Sequence, residues 1–199
     1  MKKVATILAV IFAVAISATS FAQATDSKVI TITAELNTSL YLDMGSAGYM
    51  PVTFEFSTLD DYNNGLGGYE NFDYYHMASI SSTANWKFGV KANTSFQHED
   101  NSTTMPLDNL GITIGWEGTN TIQNNAEGTP KAIASDEVVL IEQSGDISNA
   151  GDYNDNSFNI FYEMGTRQGD MNSQSLFEQD LKKGTYQVDI EFVATEVIE

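Results

Sequence analysis

Apolar and polar residues alternate with period two over much of the chain. Ile30, Ile32, Ala34 and Leu36 interleave with Thr31, Thr33 and Glu35, and Val52, Phe54 and Phe56 with Thr53 and Glu55. Trp86, Phe88, Val90 and Ala92 repeat the pattern, as do Leu110, Ile112, Ile114 and Trp116. The longest stretch runs through Tyr186, Val188, Ile190, Phe192 and Ala194. Such alternation puts one face of a strand in a core and the other in water. Antiparallel sheets suit that arrangement, because one of their faces can stay wet. Shorter apolar runs at Leu40–Asp43, His76–Ser81, Val138–Gln143 and Phe158–Tyr162 bring the expected total to eight or nine strands.

Sheets with one apolar face must cover each other. The expected fold is therefore all-β, a two-sheet antiparallel sandwich, with a closed barrel as the alternative. One segment departs from period two. Ser175 and Glu178 have capping-box spacing, Leu176, Phe177 and Leu181 are apolar, and Gly184 follows Lys182 and Lys183. These signals predict one short helix near 175–183. Four long connections, Asp60–Gly68, Phe96–Pro106, Glu117–Pro130 and Ser144–Ser157, are rich in Asn, Gly and Asp and read as surface loops.

The first 24 residues belong to a different pattern. Lys2 and Lys3 precede an uncharged run of 13 residues, Val4–Ile16, followed by small-x-small sites ending at Ala22 and Ala24. This is the layout of a secretory signal peptide, with cleavage expected after Ala22 or Ala24. The run is too short to span the ~30 Å hydrocarbon core. The expected organisation is a signal peptide over 1–24 and a single β-sandwich domain over 25–199. The domain has no cysteine, so packing alone must hold it, and export without cysteine points to a bacterial protein. Two of the nine basic residues lie in the signal, leaving seven against 27 acidic ones, a net charge of −20. That balance disfavours nucleic acid and anionic membranes as partners. No later apolar stretch approaches spanning length, so no membrane span is expected after signal removal.

Catalytic chemistry finds little support. The chain has two histidines, His76 and His98, and lacks a Gly-x-Ser-x-Gly elbow, a His-Glu-x-x-His helix or a phosphate-binding glycine loop. His98, Glu99 and Asp100 form a polar trio that reads as a solvated turn. Asp152, Asn154 and Asn156, with Glu163 eleven residues after Asp152, copy ligand spacings of an EF-hand loop, but Ser157 replaces its glycine. Those three residues make calcium the one candidate metal; no other cofactor is expected. Tyr69, Tyr74 and Tyr75, within an aromatic cluster from Tyr62 to Tyr75 that also holds Phe72, are a candidate platform for stacking sugar rings. Trp86 and Trp116 lie in phase with apolar strand neighbours and read as core.

Leu181, Gly184 and Tyr186 form a Leu-x-x-Gly-x-Tyr turn that opens the longest alternating stretch. It resembles the tyrosine corner of immunoglobulin-like sandwiches. With Trp86, Phe88 and Val90 upstream, the chain resembles exported bacterial surface and fimbrial immunoglobulin-like domains. The resemblance implies that the Tyr186 hydroxyl returns to the upstream backbone. It also implies self-association, or docking to another surface subunit, by strand addition. Ile30, Ile32, Ala34 and Leu36 are the candidate assembly strand; alternatively they pair within their own chain. The expected function is a non-catalytic exported protein at the cell surface, outside the cell or in the periplasm. It would be a fibre or pilus-type structural subunit or an adhesin-like module. The alternative is a secreted carbohydrate- or calcium-binding module.

Overall fold

The computed structural model describes residue 28, residues 31–45 and residues 50–197. The segment read as a signal peptide, its expected cleavage sites and Ile30 lie outside the described residues. The chain divides into two units, the first ending at Leu36 and the second starting at Asn37. Residues 31–36 belong to no strand, and Ile32 and Leu36 are 88% and 97% exposed. Their alternation is therefore not realised as a strand paired within the chain.

The described residues from 37 to 197 form an all-β fold with one short α-helix. Thirteen strands are present among the described residues, all antiparallel. The first sheet contains β1 (Leu40–Asp43), β3 (Tyr75–Ser82), β11 (Ser157–Met164), β7 (Leu110–Trp116) and β9 (Lys131–Ala132) in that order, with β2 (Leu66–Gly67) beside the end of β11. The second runs β13 (Ile190–Glu196), β4 (Trp86–Ala92), β10 (Val138–Gln143) and β8 (Ile122–Asn124). A third, small sheet joins β12 (Tyr186–Gln187), β5 (Phe96–His98) and β6 (Thr104–Met105).

The two larger sheets pack as a sandwich. Ala78, Ile80, Ile112, Ile114, Phe158 and Ile160 of the first sheet share a core with Trp86, Phe88, Val90, Leu140 and Ile141 of the second. Phe88 meets Phe158 edge to face, their centroids 4.9 Å apart, and lies parallel to Phe192 at 5.5 Å. Trp86 is fully buried, and Trp116 stacks on Phe158 at 6.1 Å. Both tryptophans are thus core residues. Asn149, also fully buried, binds the Trp86 backbone from the side. Trp86 N donates to Asn149 Oδ1 at 3.0 Å, and Asn149 Nδ2 donates to Trp86 O at 2.8 Å. A side chain here does what a neighbouring strand would do.

Two expected elements come out differently. The helix predicted at 175–183 is a single turn. Its capping box forms, Ser175 N donating to Glu178 Oε2 at 2.9 Å and Glu178 N to Ser175 Oγ at 3.3 Å. Asp180 then adopts φ 50°, which ends the spiral. Among the described residues the one α-helix is α1 (Leu59–Asn64), which overlaps the stretch Asp60–Gly68 read as a loop. Thr58 caps it, accepting from Asp61 N at 3.2 Å while Asp61 Oδ2 accepts from Thr58 N at 2.7 Å. The alternating stretch from Tyr186 to Ala194 is two strands in two sheets. Asp189 breaks it: its N–H donates to Thr94 Oγ1 and its carbonyl accepts from Asn93 N.

Candidate functional site

A third departure from the expected elements shapes the site. Val52, Phe54 and Phe56 alternate inward as a strand would, and all three pack on the core. Yet residues 51–56 join no sheet, and among the described residues their backbone has no hydrogen-bonded backbone partner. The segment is a strap: three apolar side chains are seated, and no ladder is made with a described residue. Phe54 stacks on Tyr74 at 4.5 Å, and Phe56 packs on Tyr62 of α1 at 5.5 Å.

The strap crosses an open groove of about 1520 Å³. Its walls include Met164 of β11, Phe96 and Met105 of the small sheet, Leu110 of β7, and Ile190 and Phe192 of β13. One polar pair stands in the wall. His76 Nδ1 and the Tyr162 hydroxyl lie 2.9 Å apart, and burial pushes the Tyr162 phenol above its usual range, keeping it neutral. The lining also holds charged and polar residues, among them Asp180, Lys182, Lys183 and Asp189. The apolar part of the groove can seat an extended apolar segment beside the neutral Tyr162 phenol. Among the described residues the neighbouring β13 ends its sheet, pairing only with β4. An unpaired row of backbone groups on a seven-residue edge strand is a template for another strand.

The turn before β12 borders the groove. Gly184 has φ 141°, and a Cβ there would run into His98 Nε2. Glycine allows the Lys183 carbonyl to reach 3.0 Å from that nitrogen. The Tyr186 ring packs edge to face on His98 at 4.9 Å. Its hydroxyl is buried without a hydrogen-bond partner, so the backbone return implied by the tyrosine corner is not made. The His98–Asp100 trio is a built turn rather than a solvated one. His98 is buried, and Asp100 accepts from Ser102 N, Thr103 N and, at 2.7 Å, Lys182 Nζ. The Lys182 ammonium, ahead of the two N–H groups, holds the Asp100 carboxyl far below the ordinary carboxylate range.

The residues singled out for calcium serve the loop itself. Asp152 Oδ1 accepts from Asn154 N at 2.7 Å, and Asn156, fully buried, accepts from Asn120 Nδ2 at 3.0 Å. Asn156 Nδ2 is buried without a partner. Glu163 is far from them: the length of β11, roughly 20 Å, separates it from Ser157. It is buried under hydrogen bonds from the Thr113 and Thr166 hydroxyls. Among the described residues, no group of three or more His, Cys, Asp or Glu side chains is placed to hold a metal ion.

The three candidate tyrosines part company. Tyr74 turns to the strap. Tyr69 and Tyr75 converge with Phe72 on Phe161, at 5.4, 6.0 and 5.4 Å respectively. Period two separates Tyr74 from Tyr75, since neighbours in an extended segment point to opposite faces. Phe161, the centre of the cluster, is the residue that the sequence reading misses. Its alternation against Ile160 and Tyr162 is the available signal, because it puts an aromatic ring on the outer face.

Of the candidate assembly strand, Ile32, Ala34 and Leu36 are exposed and Ile30 lies outside the described residues. Among the described residues, no helix is long and apolar enough to cross a membrane. Compared with known proteins, the chain matches no family model and no curated protein sequence.

Proposed function

We propose that this chain is a non-catalytic exported bacterial surface protein, a fibre-type structural subunit or adhesin-like module that accepts an extended strand from a neighbouring copy. The observation that supports this reading is the groove beside β13, where the strap fills apolar seats without pairing its backbone to any described residue. An occupant bringing both apolar side chains and a backbone ladder would bind better than the strap does. Ile32, Ala34 and Leu36 repeat the spacing of Val52, Phe54 and Phe56 and are exposed. Burying Ile32 and Leu36 would contribute about 1.5–3 kcal/mol each. Each ladder bond adds about 1 kcal/mol. Association costs roughly 4–15 kcal/mol. The balance favours a concentration-dependent assembly over a permanent one.

The test compares residues 25–199 with a form lacking 25–36 by sedimentation velocity over a wide concentration range. The longer chain should form oligomers that the deletion abolishes, and a synthetic peptide of residues 28–37 should compete with assembly. A chain that stays monomeric at high concentration, or oligomers indifferent to the deletion, would overturn the proposal.

A further inference from the structure

The groove lies on the inner side of the first sheet. The outer side of that sheet carries a second feature, independent of any strand exchange. Register places Tyr75 beside Phe161 and Met77 beside Asn159, while Asn159 also faces Gly115 of β7. Glycine at 115 is required, since a Cβ there would sit 2.9 Å from the Phe161 ring and 3.5 Å from Tyr69. The rings of Tyr69 and Phe72 stand nearly perpendicular to Phe161, at 72° and 78°, with Phe161 itself buried beneath them. Phe72 also meets Tyr75 at 83°. The loop carrying these rings is tied at its base: Gly68 N donates to Tyr162 O at 3.0 Å, and Tyr162 N to Tyr74 O at 2.9 Å.

The rings are held in place, yet they are not covered. Phe72 is 59% exposed, Tyr69 48% and Met77 62%. Beside them the same face carries small polar groups. Ser79 and Ser157 face each other across β3 and β11, and Asn159 donates to Glu117 Oε1 at 3.3 Å. The loop adds Glu70, Asn71 and Asp73, and residues 69–77 contain no Lys or Arg.

We propose that this outer face binds a neutral glycan chain. The chemistry selects that occupant. The exposed aromatic area of Tyr69 and Phe72, with Met77 beside it, offers apolar surface to the C–H faces of a pyranose ring. The adjacent hydroxyl, amide and carboxylate groups match its equatorial hydroxyls. The acidic rim repels nucleic acid and acidic polysaccharides, and a rigid platform loses little entropy on binding an extended chain.

Affinity electrophoresis of residues 25–199 through gels containing soluble mixed-linkage β-glucan, mannan or starch, with polygalacturonate as the acidic comparison, tests the proposal. At least one neutral polymer should retard the protein, and polygalacturonate should not. The double variant Tyr69→Ala/Phe72→Ala should bind that polymer about tenfold more weakly or worse. Phe177→Ala, which removes an exposed ring at the groove on the inner side, should bind normally. Urea midpoints near that of the parent show that both variants are folded. The form lacking 25–36 should bind as the parent does, so this proposal and the assembly reading fail separately. Retardation by no neutral polymer, equal retardation by polygalacturonate, or an unaffected double variant would each overturn the glycan site.

Discussion

Phe54→Ala tests whether the strap is seated by its side chains alone. Truncating a fully buried Phe costs about 3–5 kcal/mol. Phe54 is half-buried, which brings the expected loss to about 2 kcal/mol, of which the stack on Tyr74 supplies about 0.5–1.5. Urea unfolding of the parent and the variant measures it. Hydrogen exchange on the parent supplies the second arm. Amides of residues 52–56 have no backbone partner among the described residues and should exchange orders of magnitude faster than those of β11, although the side chains of Val52, Phe54 and Phe56 are packed. The variant should also associate at lower concentration, because its groove is emptier. Strap amides as slow as those of β11 would show that a ladder holds the segment and that no strand position is vacant. A loss below about 0.5 kcal/mol, the scale of an ordinary surface substitution, would show that Phe54 is not seated.

Two further outcomes follow from polar groups inside the fold. Asn149→Ala leaves the N–H and carbonyl of Trp86 buried and unpaired, a loss of about 2–5 kcal/mol in urea unfolding. Asn149→Asp keeps the acceptor, loses the donor and adds a buried charge, so it should be worse; a milder effect than Asn149→Ala would refute the assignment. Four carboxyls, Asp61, Asp100, Glu178 and Glu191, are held below their ordinary range, chiefly by the Ser57 N–H, the Lys182 ammonium, the Ser175 N–H and the Lys91 ammonium in turn. The folded state therefore binds fewer protons than the unfolded chain. The stabilisation is complete above the unfolded values, near about 4, and is lost as pH falls below them. In about 0.3 M salt, which screens the net negative charge, the urea midpoint should hold from about pH 7 to 5 and decline below about pH 4. A midpoint that climbs below about pH 4 contradicts the sign.

Much of the fold was legible because period two is a local property. Trp86–Ala92, Leu110–Trp116, Leu40–Asp43 and Val138–Gln143 are strands where the alternation or the apolar run put them. Two-residue strands such as Leu66–Gly67 and Lys131–Ala132 were not legible, since they are too short to show a period. The capping boxes mark the limit of local reading. Ser175 and Thr58 both form theirs, but only Thr58 starts a helix, because Asp180 turns left-handed within a turn of the first. The candidate site was half visible: the aromatic cluster could be seen, but not that Tyr74 faces the strap while Tyr69, Phe72 and Tyr75 gather on Phe161.

Which residues face inward follows from the order of residues along the chain, because alternation, turn composition and charge act over a few neighbours. The all-β character, with no disulfide to staple it, follows in the same way. Which alternating segments acquire a ladder does not. Val52–Phe56 and Trp86–Ala92 carry the same pattern, yet the second pairs with β10 and β13 and the first pairs with nothing among the described residues. A strand needs a second backbone at about 4.8 Å, and that partner is set by the packing of residues distant in sequence.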